Sequence, residues 1–190
     1  MGIKCKVFFL GDSVTYGVGD TEEGGYVSRI QKYFRENKGE YEYYDIYNLG
    51  INANTSCDLA NRVFNELNAR SKDDLRVDRV VCIVYIGGND ISHDVCLNTF
   101  QLNLQSAIFD IFRAYFDCDV YFVGIHEMGE KYTHGKTVEE YNKVIQTVCK
   151  KFNLNYIPNP ILLEDLSEDE LHPNPKGYEK LTKVLLEYIK

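Results

Sequence analysis

Five short apolar runs alternate along the chain with five stretches of helical periodicity. The runs are Cys5–Leu10, Tyr44–Leu49, Val80–Ile86, Val120–Ile125 and Asn155–Ile157. Val80-Val81-Cys82-Ile83-Val84-Tyr85-Ile86 shows no polar alternation, so that strand is predicted to be covered on both faces, as in a parallel sheet between helices. Between the runs, apolar residues recur every three or four positions. They form the sets Val27, Ile30, Phe34; Leu59, Val63, Leu67; Phe100, Leu104, Ile108, Ile111, Tyr115; and Val138, Tyr141, Ile145, Val148, Phe152. The last helix carries its own start signal. Asn174 suits the N-cap and Pro175 the first turn, ahead of the stripe Tyr178, Leu181, Leu185, Ile189. No repeat or linker breaks the alternation. It predicts a single α/β domain over residues 1–190, with a parallel sheet and helices on both faces.

Composition narrows the function classes. With 21 Lys+Arg against 29 Asp+Glu and no basic run, the chain lacks the electrostatic footprint of a nucleic-acid binder. The six cysteines lie far apart without a C-x-x-C pair and are expected to be buried, reduced thiols. Met1 to Lys6 leads straight into an apolar run with no signal-peptide pattern, which predicts a cytoplasmic protein. Gly2 does not complete a myristoylation motif, because position 6 is Lys. With no basic amphipathic helix either, no membrane partner is expected.

In a parallel sheet of this kind, sites form at the carboxyl ends of the strands. The loops there carry Gly11-Asp12-Ser13-Val14-Thr15-Tyr16-Gly17, Asn48-Leu49-Gly50-Ile51-Asn52, Gly87-Gly88-Asn89-Asp90 and Asp169-Glu170-Leu171-His172-Pro173. Together they bring a hydroxyl, a backbone donor, a carboxamide and an Asp/His pair to one edge. That is the set acyl transfer requires. A serine hydroxyl becomes a useful nucleophile only when an imidazole takes its proton, and His172 is placed to do so for Ser13. Asp169, three residues earlier, is in reach of Nδ1 and selects the tautomer that leaves Nε2 free. Pro173 disfavours the α conformation at His172 and projects it from the loop. The Ser13 and Gly50 N–H groups and the Asn89 amide are the candidate oxyanion donors. Asp12 and Asp90 read as loop braces.

These four blocks, in this order from Gly11 to His172, resemble the SGNH hydrolase family, also called GDSL esterases and lipases. The resemblance implies a flavodoxin-like, three-layer α/β/α sandwich with a five-stranded parallel sheet. It implies Ser13 as nucleophile, Asp169 and His172 as the rest of the triad, and Ser13, Gly50 and Asn89 as the oxyanion hole. The chain departs from the family pattern at Val14, where leucine is usual, and at Gly88, where a larger residue is common. The reaction so implied needs no cofactor and no metal, only a small-molecule ester substrate. The family also includes thioesterases, lysophospholipases and carbohydrate O-deacetylases, and the same fold can serve as a binding module without turnover.

Other motifs read blandly. His126-Glu127-Met128-Gly129-Glu130 lacks the second histidine of a zinc-binding H-E-x-x-H, although His126 is placed to border the substrate pocket. Gly17-Val18-Gly19-Asp20-Thr21-Glu22 fails the dinucleotide fingerprint at its last position. Gly129 to Thr137 has one residue too many between its glycines for a P-loop. The short, polar loop His126 to Lys136, with no apolar lid, predicts a small acyl group, of acetyl size, rather than a long lipid chain.

Overall fold

The structure, a computed structural model, describes residues 3–37, 42–71 and 77–190. Met1 and Gly2, where the lipidation motif would begin, lie outside them. Five strands form one parallel sheet: β1 (Ile3–Gly11), β2 (Glu42–Gly50), β3 (Arg79–Tyr85), β4 (Asp119–Val123) and β5 (Asn155–Ile157). Their order is β2-β1-β3-β4-β5. The chain reverses its direction of travel across the sheet at β1, so the strand ends of β1 and β3 border the crevice where such folds bind ligands.

Side chains alternate across β1 and divide the core in two. Phe8 and Leu10, with Cys82, Val84 and Phe122, pack against α3 (Ser56–Ser71), α5 (Leu97–Ala114) and α6 (Val138–Phe152). Cys5, Val7 and Phe9, with Val81, Ile83 and Ile157, pack against α2 (Gly25–Asn37) and α7 (Pro175–Ile189). The result is the three-layer α/β/α sandwich expected. Two helical turns, α1 (Ser13–Tyr16) and α4 (Gly88–Ser92), follow β1 and β3 directly.

Boundaries differ from the apolar pattern where polar groups intervene. β4 stops at Val123 although the apolar run continues to Ile125. Gly124 N–H still donates to Ile157 O at 2.9 Å, but the Asn142 side chain takes both Ile125 backbone groups, at 2.7 and 2.9 Å, and ends the ladder. α6 has a full capping box, Thr137 and Glu140 satisfying each other's exposed N–H groups. Asn174 caps α7 by accepting from Gly177 N–H at 3.0 Å. The cysteines correct one expectation. All six are free thiols, but Cys57 and Cys96 are exposed, each on the first turn or cap of a helix rather than in a core run. Among the described residues no helix is long and apolar enough to cross a membrane.

Candidate active site

Ser13 owes its position to a tight turn between β1 and α1. The Asp12 carboxylate caps α1 by accepting Val14 N–H at 3.0 Å, and Gly17, at φ 111°, ends it. Gly11 must lack a side chain there. A Cβ would stand 2.1 Å from Thr15 Oγ1 and 2.3 Å from Tyr85 O. Asp12 is buried beside Ser13. Burial pushes its carboxyl up to about 7, with the Val14 bond opposing and the nearby Asp90 adding to the rise.

His172 projects from a closed loop. Leu166 pairs with Pro173, Ser167 N–H donates to His172 O at 2.8 Å, and Glu170 turns the chain at φ 62°. Inside the loop, Asp169 Oδ1 accepts the N–H groups of Leu171 and His172, both at 2.9 Å. Its other oxygen is left to accept His172 Nδ1–H at 2.6 Å. Nδ1 therefore carries the proton, and Nε2 is free to accept Ser13 O–H at 2.8 Å. Partial burial disfavours the Asp169 carboxylate, but the bonds from the His172 ring and from the His172 and Leu171 N–H groups outweigh it and hold its pKa below the usual range. Ser13, His172 and Asp169 thus form one hydrogen-bonded chain, with the carboxylate at the solvent edge.

The segment after β4 grips this loop from outside. His126 Nε2–H donates to Leu171 O at 2.7 Å, Gly129 N–H to Glu170 O at 2.8 Å, and Tyr132 O–H to Asp169 O at 3.0 Å. Three successive carbonyls between the acid and the base are held. His126 also accepts from the Tyr85 hydroxyl at Nδ1, and that hydroxyl accepts from Asn159 Nδ2 at 2.8 Å. Burial pushes the His126 imidazole down to about 4, so it stays neutral in this tautomer. The sequence marked His126 as a pocket neighbour; its grip on the loop has no local signature, because its partner lies 45 residues away.

On the opposite side, Asn89 in α4 donates one Nδ2 hydrogen to Asn54 O at 2.9 Å and keeps the second. Asp90 beside it accepts Ser56 N–H at 2.9 Å and Ser56 Oγ–H at 2.6 Å, tying the loop after β2 to the loop after β3. Burial raises the Asp90 pKa against these bonds. Both aspartates brace loops, as their settings suggested.

Gly50 does not sit as an oxyanion donor should. Its single N–H donates to Asn48 Oδ1 at 3.0 Å, and a Cβ on it would meet Tyr16 N at 2.2 Å. It is a close-approach glycine that lets α1 pack on β2. The turn that follows, Ile51–Asn54, closes through Asn54 N–H to Ile51 O at 3.2 Å and places Ala53 at φ 61°. That is a turn position where glycine is favoured, and a non-glycine there stores strain of the kind found at functional loops. Ala53 N–H donates to no described residue. Alanine does not announce a positive φ, so nothing in the sequence points to it.

Against Ser13 lies a cavity of about 20 Å³, walled by Val14, Tyr85, Gly88, Ile125, Met128 and Leu171. Among the described residues no group of three or more His, Cys, Asp or Glu is arranged to hold a metal ion.

Residues 9–180 match the GDSL-like lipase/acylhydrolase family, a stretch that contains every residue of this site. The chain belongs to that family. As a GDSL-like acylhydrolase it is 27% identical over 222 aligned positions to a multidomain esterase of Ruminococcus flavefaciens, covering 97% of the chain but only 28% of that protein. It is 25% identical over 211 positions to the uncharacterized protein YpmR of Bacillus subtilis (strain 168), covering 95% of the chain and 80% of its relative. An acetylxylan esterase from Geobacillus stearothermophilus superposes with a TM-score of 0.77 at 21% identity, covering all of this chain and 96% of that one. A family 3 carbohydrate esterase from Clostridium thermocellum superposes with a TM-score of 0.76 at 21% identity, over 97% and 94% of the two chains. The acylhydrolase shares its fold with both.

Proposed function

We propose that this acylhydrolase is a serine esterase that cleaves small acyl esters, acetyl foremost, through an acyl-Ser13 intermediate. The observation that carries the reading is the unbroken hydrogen-bonded chain from Ser13 through His172 to Asp169, at 2.8 and 2.6 Å. His172 Nε2 takes the Ser13 proton as Oγ attacks the ester carbonyl. The imidazolium so formed is stabilised by the Asp169 carboxylate. His172 then returns the proton to the leaving alcohol, the C–O bond breaks, and the acyl group stays on Oγ. Water, deprotonated by the same imidazole, releases the acid and restores Ser13. The developing oxyanion is met by Ser13 N–H, the second Asn89 Nδ2 hydrogen and Ala53 N–H, which takes the place expected of Gly50.

Asn89→Ala is expected to lower kcat by roughly 10²- to 10³-fold with the fold retained, the usual loss for one oxyanion donor. Steady-state kinetics on p-nitrophenyl acetate check this, and unchanged turnover in folded protein contradicts it.

The acyl preference rests on space. The cavity of about 20 Å³ at Ser13 has room for little more than a group the size of one water or methyl. A wider cleft of about 550 Å³, lined by Glu127, Glu130, Thr133 and Lys136, adjoins it across Met128 and offers polar groups to a hydroxyl-rich alcohol. The carbohydrate esterases of the same fold support an acetylated sugar as substrate class. We expect kcat/KM to fall from acetyl to decanoyl esters. Met128→Ala should move the optimum to longer chains, since each methylene accommodated or excluded is worth roughly 1–3 kcal/mol. A wild-type rate that climbs steadily towards decanoyl contradicts the assignment.

A further inference from the structure

We infer that Arg62 is a positioning residue that sets the oxyanion side of the site, a role that rests on the esterase reading above. Arg62 lies on α3, outside the cavity, with its side chain 15% exposed. Its guanidinium reaches three separate pieces of the strand-end edge. Nη2–H donates to Gly11 O at 2.8 Å and to Leu49 O at 2.9 Å, and Nε–H donates to Asn54 Oδ1 at 2.7 Å. Glu66 holds Nη1–H from behind at 2.8 Å and fixes the plane.

Two of these contacts lead to reacting groups. Gly11 is two residues before Ser13, and its carbonyl also accepts Ile51 N–H at 3.1 Å. Asn54 closes the turn that holds Ala53 at positive φ, and its own carbonyl takes one hydrogen of Asn89. A single side chain therefore sets the spacing between the nucleophile's strand, the strained turn and the carboxamide donor. The task suits arginine. Its planar fork carries five donors in fixed directions, whereas a lysine ammonium is one point on a flexible stem. Donors aimed at an oxyanion lose most of their effect when displaced by about 1 Å. The contacts to backbone carbonyls and to Asn54 thus bear on kcat, while the cavity that seats the acyl group is untouched.

The test is steady-state kinetics on p-nitrophenyl acetate with Arg62→Ala, Arg62→Lys and Asn54→Ala, each alone and combined with Asn89→Ala. Arg62→Ala and Asn54→Ala are expected to lower kcat roughly 10- to 100-fold with KM near wild type. Arg62→Lys should not restore the rate. Added methylguanidinium, at concentrations that do not unfold the protein, should restore part of the Arg62→Ala rate and none of the Asn54→Ala rate. In the Asn89→Ala background the Arg62→Ala loss should shrink, because the donor it helps to aim is already gone. Undiminished kcat in Arg62→Ala or Asn54→Ala, or the same fold-loss with and without Asn89, overturns the inference. If Arg62→Ala does not fold, Asn54→Ala, which leaves the strand-end contacts in place, decides alone. Activity that survives Ser13→Ala overturns the esterase reading itself, which keeps the two failures distinct.

Discussion

Ser13→Ala should cut ester turnover by about 10⁴-fold or more while leaving the fold intact, as removal of a triad nucleophile does elsewhere. The Ser13 hydroxyl is the group hydrogen-bonded to His172 Nε2, and in the proposed mechanism its loss removes the atom that attacks. It also leaves the oxyanion donors and the cavity in place, and they account for the residual rate. The side-chain bond of Ser13 is to His172 at the site's open edge, not to the core, so stability should change by less than about 1 kcal/mol. Initial rates on p-nitrophenyl acetate, measured beside thermal unfolding of both proteins, separate the chemical loss from a structural one. A variant that keeps substantial activity, or loses it only by unfolding, contradicts this account.

Asp169→Asn should be nearly as damaging, on the order of 10⁴-fold in kcat, for a different reason. The Asp169 carboxylate does two jobs with two oxygens: Oδ1 collects the N–H groups of Leu171 and His172, and Oδ2 takes His172 Nδ1–H. In asparagine the carbonyl oxygen is needed by the two backbone N–H groups, so the amide nitrogen falls opposite Nδ1. Two donors cannot face each other. The imidazole must carry its proton on Nε2 instead, where it cannot accept from Ser13. Geometry survives and the tautomer is wrong, so kcat should fall far more than KM rises. An Asp169→Asn enzyme within tenfold of wild type contradicts the role.

Much of this was legible in the chain because each block sits at a strand end. The run Val80–Ile86 announced a doubly covered strand, and Asn174-Pro175 marked the start of the last helix to the residue. Ser13, Asn89, Asp169 and His172 could be placed on one edge because the parallel topology leaves them nowhere else to go. What escaped the sequence depends on contacts between distant segments or on backbone angles. Gly50 carried the right residue type for a backbone donor, yet its N–H is spent on Asn48 two residues back, and its bareness serves the packing of α1. Ala53 bears no mark of its φ of 61°. His126 and Tyr132 bond to carbonyls of the His172 loop, and Arg62 to carbonyls of β1 and β2. Main-chain carbonyls are alike in every residue, so no spacing in the sequence points to them.

The most direct test of an acyl-Ser13 enzyme is reaction with a fluorophosphonate, followed by intact-protein mass and peptide mapping. Attack by Ser13 Oγ on phosphorus expels fluoride and leaves one phosphonyl group on the protein. A single adduct mapped to Ser13 is expected, absent from Ser13→Ala and formed far more slowly by His172→Ala. No adduct on folded wild type, or one that persists in Ser13→Ala, would contradict it.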